Sequence, residues 1–249
     1  KRGCCGNTRK FYFKALRAIL NRANAEGVGS VATYPFGRGG FEVSKLEEAT
    51  AKRYLPAAKL SKLKSSTASN PQCEYARKLF LFSYYCYGIS FIDMAMLTAA
   101  HIKQMEDGDY IVYKRQKIKR QKGVKPISIK ITPAIRQLIE SLQAASPTVD
   151  DFLLPIVTRS GYTGERLYMH IRTRYSKYQK YLRLLAEELG IDFHLTSYVS
   201  RHTAAMTLQR NNIPREVISQ MLGHADLETT NIYLDSFDNR VINEAAKVL

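Results

Sequence analysis

At 249 residues the chain is long enough to bury a sizeable core, as one large domain or as a small one followed by a larger one. Its 38 Lys and Arg against 22 Asp and Glu leave a net charge of +16, a balance that points to a polyanionic partner. No stretch approaches the roughly 20 apolar residues of a membrane span, no secretory signal is legible, and Cys4, Cys5, Cys73 and Cys86 have neither the spacing of a zinc site nor a disulfide framework, so a reducing cytoplasm is expected.

In chain order, residues 8–24 carry Tyr12, Leu16, Ile19 and Ala23 at helical spacing with Arg and Lys between them, an amphipathic basic helix ended near Gly27. Residues 27–54 are rich in turn and polar residues and are expected to be a passage between domains; residues 1–26 are too few to fold alone. With no initiator methionine ahead of Lys1, the chain is expected to be part of a longer protein. From Glu74 to Tyr87 the pattern is apolar nearly all round, as in a buried helix, and Gly88 is placed to end it. Ser90 precedes Asp93 by three residues, a capping-box-like start for the next helix. Two strands are predicted at residues 110–114 and 126–131, the second from the alternation of Ile127, Ile129 and Ile131 with Ser128 and Lys130. The segment KRQKIKRQKGVK between them is either a solvated hairpin tip or a row of cations aimed at a phosphate backbone. Thr132 and Pro133 begin a helix with Ile135, Leu138, Ile139 and Leu142 on one side, residues 146–157 are loop, and residues 164–190 hold a long helix with Tyr175, Tyr178, Leu182 and Leu185 as its buried stripe. Its Arg172, Arg174, Lys177, Lys180 and Arg183 lie mostly off that stripe. The predicted class is therefore mostly α with a small antiparallel β-hairpin or sheet.

The stretch from Phe193 to Phe237 holds polar residues that packing alone does not account for. Arg201 and His202 open one helical pattern, which Asn211 and Asn212 break. Pro214 sits in the first turn of a second helix with Val217, Ile218, Met221 and Leu222 on one face, and Gly223 ends it. His224 follows at once, Asp226 is placed to cap a third helix, and Tyr233 there is flanked by Ile232 and Leu234 so as to point away from their face. A tyrosine hydroxyl is a weak nucleophile at its ordinary pKa of about 10. It needs cationic neighbours to stabilise its anion and the phosphate it attacks.

Arg201, His224 within LGHAD and Tyr233 within TTNIYLDSF, 23 and 9 residues apart, resemble the carboxy-terminal motif of the tyrosine recombinases, the phage integrase family. Within that family the segments FSYYCYGISFIDMAML and SYVSRHTAA are most similar to integrases of conjugative transposons. The resemblance covers about residues 55–249 and implies a recombinase catalytic domain there. Residues 1–54 would then be the last part of a helical core-binding domain, which clamps DNA, with its linker. A short final helix over residues 240–249 would pack on a neighbouring protomer.

Carried over residue by residue, the resemblance makes Tyr233 the nucleophile on a DNA phosphate, Arg201 the fork on its non-bridging oxygens, His224 a further donor and Lys117 the general acid on the departing 5′ oxygen. His202 follows the arginine as in many relatives. Tyr198, three residues before Arg201, stands where a histidine or lysine is usual, and Ser90 stands where the family has its first arginine, three before Asp93. Arg77 and Lys78 are the upstream cations available to replace it. Lys114, Arg115, Lys119 and Arg120 are expected to contact DNA. The implied partners are double-stranded recombination sites, further copies of the chain as a dimer to tetramer on DNA, and accessory bending or directionality proteins. No metal or other cofactor is implied. Two alternatives stay open: a non-catalytic DNA-binding protein of helix-turn-helix type, and a decayed recombinase that binds sites without cutting.

Overall fold

The computed structural model describes residues 3–37, 39–48 and 53–223, and the chain divides into two units, Lys1–Ala51 and Lys52–Leu249. In the first, helix α1 (Gly6–Ala25) is followed by chain that turns back on it through two short 3-10 turns, Val43–Leu46 the second. Phe13 of α1 lies 4.6 Å, ring to ring, from Phe41, and Phe36 and Val43 are buried. Asn7 donates to the Glu48 carbonyl at 2.7 Å and Lys10 pairs with Glu47 at 2.6 Å. Within the stretch expected as a passage between domains, Phe36 and Val43 are thus covered while most of the other described side chains are exposed. Tyr12, Leu16 and Ile19, expected as an apolar face, are exposed.

The second unit is mostly helical with one small sheet. Helix α2 (Ala57–Ser65) starts after Pro56 and buries Leu60 and Leu63. Its basic composition conceals it, because only two positions of its short length face inward. The central helix is α3 (Pro71–Tyr85): Asn70 caps it by accepting from Gln72 N at 2.7 Å, Pro71 occupies the first turn, and eight of its residues from Cys73 to Ser83 are buried. Helices α5 (Pro133–Ala145), α6 (Gly164–Glu188) and α7 (Ser197–Arg210) all pack on α3. Buried Arg77 of α3 forms a two-pronged pair with Glu74 and donates to the Leu63 carbonyl at 2.9 Å. Burial alone would raise the Glu74 carboxyl, but Arg77 and the Ala68 amide outweigh it and hold the group below its ordinary value.

Strands β1 (Ile102–Met105), β2 (Gly108–Tyr113) and β3 (Ile127–Lys130) form an antiparallel sheet in that order. β2 and β3 fall where the alternation put them, Ile111 opposite Ile129 with both fully buried. β1 was not expected. Met105 pairs with Gly108 across the two-residue turn Glu106-Asp107, and the Gly108 φ of 130° favours glycine. Cys73 and Cys86 are buried thiols, pushed upward by desolvation. Among the described residues no helix is long and apolar enough to cross a membrane.

Candidate functional site

Helix α8 (Arg215–Leu222) follows α7 after Asn212, which takes a left-handed φ of 59°. Gly223, at φ 64°, closes it as expected. Ile218 and Leu222 are buried as the spacing implied, whereas Val217 is exposed. α7 begins at Ser197, so Arg201 lies a full turn inside it and does not open it.

That position buries Arg201 to 4% exposure. Its guanidinium donates to the Gly88 carbonyl at 3.1 Å and to the Leu222 carbonyl, joining the turn after α3 to the end of α8. Gly88 is required here for two reasons. Its φ is 74°, and a Cβ would sit 2.6 Å from Arg201 Cγ, well inside contact distance. The glycine expected only to stop α3 also makes room for the arginine.

Arg201 is in the wall of a cleft of about 450 Å³ formed by the turn after α3, the start of α4 (Phe91–Ala95), α6, α7 and the β2–β3 connection. Tyr198, Ser90, Arg115 and Arg172 share that wall. Tyr198 is half exposed, its ring edge-on to His202 at 5.2 Å. Tyr175, expected in the buried stripe of α6, instead opens onto the cleft, and Ile171 takes its buried place. Ser90 caps α4: its hydroxyl accepts from the Asp93 amide at 3.3 Å and donates to Asp93 Oδ2 at 2.6 Å. Asp93 is buried, and its other oxygen accepts from the Gln116 amide at 2.7 Å. The carboxylate thus ties the basic connection to the start of α4.

Lys114, Lys117, Lys119 and Arg120 are exposed on the connection after β2 and do not line the cleft. Arg115 behaves differently. It is half-buried, lines the cleft and donates to the Gly223 carbonyl at 3.3 Å. Burial pushes the Tyr113 phenol up and Asp93 adds to it, while Arg201 and Arg115 oppose the rise. Arg77 is committed to Glu74, and Arg77 and Lys78 border a different hollow, so neither reaches Ser90. His224, Tyr233, the Asp226 cap and the final helix lie outside the described residues.

Sequence reasoning missed Ser83, Ser200 and Thr203. Ser83 and Ser200 bond each other at 2.7 Å between α3 and α7, and Thr203 accepts the Leu55 amide at 3.0 Å. These small polar side chains fix the helix bearing Arg201 and leave it without an apolar stripe to read.

A helical domain whose sheet connection and helix ends converge on a buried arginine has the architecture of recombinase catalytic domains. The structure of XerH site-specific recombinase bound to palindromic difH substrate, a post-cleavage complex, superposes over 99% of this chain and 68% of its own with a TM-score of 0.64 at 18% identity. The Tn1549 transposon integrase in complex with a circular intermediate DNA does so over 97% and 78% with a TM-score of 0.63 at 13% identity. The phage integrase family model matches residues 53–240, more than half of the sequence, and the chain belongs to that family. The tyrosine recombinase XerD of Brucella abortus (strain 2308) is 30% identical over 129 residues, 49% of this chain and 38% of that protein. The chain therefore spans well under two thirds of the length of that curated relative.

Proposed function

We propose that this chain is the catalytic part of a site-specific recombinase that cuts and rejoins DNA strands through a 3′-phosphotyrosyl intermediate on Tyr233. The observation that carries this is Arg201, a guanidinium buried to 4% exposure and held by two main-chain carbonyls in the wall of an open cleft, in a family-matched domain. A planar guanidinium fork fixed in the wall of a cleft suits the two-pronged binding of a phosphate. In this reading Arg201 holds the non-bridging oxygens, with Tyr198 and His224 as further donors. The Tyr233 oxygen bonds to phosphorus as its phenol gives up its proton to solvent water. The bond from phosphorus to the 5′ oxygen breaks, and Lys117 supplies the proton that oxygen takes. A 5′ hydroxyl from a partner strand reverses the step. The phosphotyrosyl bond conserves the energy of the broken one, so no ATP is consumed. Lys114, Lys119 and Arg120 contact the DNA backbone, the first unit belongs to a DNA clamp, and the protein acts in the cytoplasm as a dimer to tetramer on its sites, with accessory bending or directionality proteins.

The test incubates the full-length protein with a pool of nicked suicide duplexes of randomised core sequence and resolves covalent adducts under denaturing conditions. Wild type is expected to trap DNA, while Tyr233→Phe binds DNA and traps none. An adduct mapped to another residue rejects Tyr233, and binding with no adduct in wild type leaves the non-catalytic reading.

A further inference from the structure

Ser90 leaves the cleft without a guanidinium at its first position, and its hydroxyl hydrogen is spent on Asp93 at 2.6 Å. We infer that Arg115 supplies the second cation on the scissile phosphate, reaching from the β2–β3 connection into the space that a side chain at position 90 leaves open. The inference rests on the phosphate-binding reading of the cleft.

Three observations place Arg115 there. It lines the same cleft of about 450 Å³ as Ser90 and Arg201. Its neighbour Gln116 is anchored through the main chain to Asp93 at 2.7 Å, and Asp93 is itself bonded to Ser90, so the backbone carrying Arg115 is fixed to the segment it complements. Its guanidinium lies 3.3 Å from the Gly223 carbonyl, one residue before His224, and among the described residues no carboxylate pairs with it. A main-chain carbonyl is a neutral acceptor. A phosphate oxygen carries charge and is the stronger partner for the same N–H groups. Arg172 is the other arginine on the wall beside Arg201, but it is exposed on α6 and no hydrogen bond orients it among the described residues, so it is not preorganised for charge that develops in the transition state. Asp93 acts here as a positioning residue.

The experiment uses the duplex sequence that wild type captures from the randomised pool, with single-turnover adduct formation and thermal unfolding measured side by side. Arg115→Ala is expected to slow adduct formation about 10²–10³-fold, the usual cost of one preorganised donor, with an unchanged unfolding midpoint. Ser90→Arg introduced into Arg115→Ala is expected to recover most of that rate, because an arginine at position 90 faces the same space. Wild-type rates in Arg115→Ala overturn the inference, as does Arg172→Ala carrying the loss instead, or absence of recovery in a double variant with the wild-type unfolding midpoint. Each of those results leaves the Tyr233 adduct in place, whereas failure of the recombinase reading removes that adduct from wild type or lets it persist in Tyr233→Phe.

Discussion

Gly88 and Arg201 form one unit at the scale of single residues. The guanidinium holds the glycine's carbonyl at 3.1 Å, and the glycine's missing side chain is the space the arginine stem fills. An alanine at 88 has to adopt a left-handed φ of 74° and displace Arg201. The conformational cost alone is about 1–2 kcal/mol, which for a domain of this size lowers Tm by about 2–4 °C per kcal/mol. Gly88→Ala is therefore expected to lose several degrees in a calorimetric scan and, in the adduct assay, more activity than the stability loss accounts for. A variant as stable and active as wild type would show that Arg201 does not depend on this turn. The sequence made Gly88 legible as a helix stop. Its second role was not, because it arises from a residue 113 positions away.

At the scale of elements, the connection between β2 and β3 divides its cations by depth. Arg115 is turned into the cleft beside the Asp93 anchor, while Lys114, Lys117, Lys119 and Arg120 stay in solvent. An exposed ammonium suits a group that delivers a proton only once DNA is in place. Lys117→Ala is expected to slow cleavage about 10²–10⁴-fold, the range for lost general acid catalysis. The defect should be much smaller on DNA with sulfur at the bridging 5′ position, since a thiolate leaves without protonation. Equal defects on both substrates would return Lys117 to a backbone-contact role. The strands flanking this segment were readable from the alternation of isoleucines, because one face of the sheet is buried and the other is not. Helix α7 was not readable in that way. Its buried face includes Ser200, Arg201, Thr203 and Gln209 among its apolar residues, so burial there leaves no hydrophobic period to detect.

For the molecule as a whole, the net charge of +16 sets the expected response to salt. A protein that contacts 6–10 phosphates loses roughly 10³–10⁵ in DNA affinity between about 50 and 200 mM salt, because neutralised phosphates release their counterions. Binding titrations across that range are expected to follow such a slope, and a flat response would reject the polyanion partner. The charge does not specify the fold. By itself the sequence held Arg201, His224 and Tyr233 at a family's spacing, a basic connection between two strands, and helix starts and stops written in Ser90, Thr132, Pro133 and Gly223. These are local signals, legible because capping, turn and periodicity rules act over a few residues. The tertiary structure alone decided that Phe36 and Phe41 pack on Phe13 of α1, that Arg201 is buried between the turn after α3 and the end of α8, and that Arg115 shares a cleft with Ser90. Each of these depends on contacts between residues distant in sequence, where the fit of one side chain into the space left by another cannot be inferred from either segment alone.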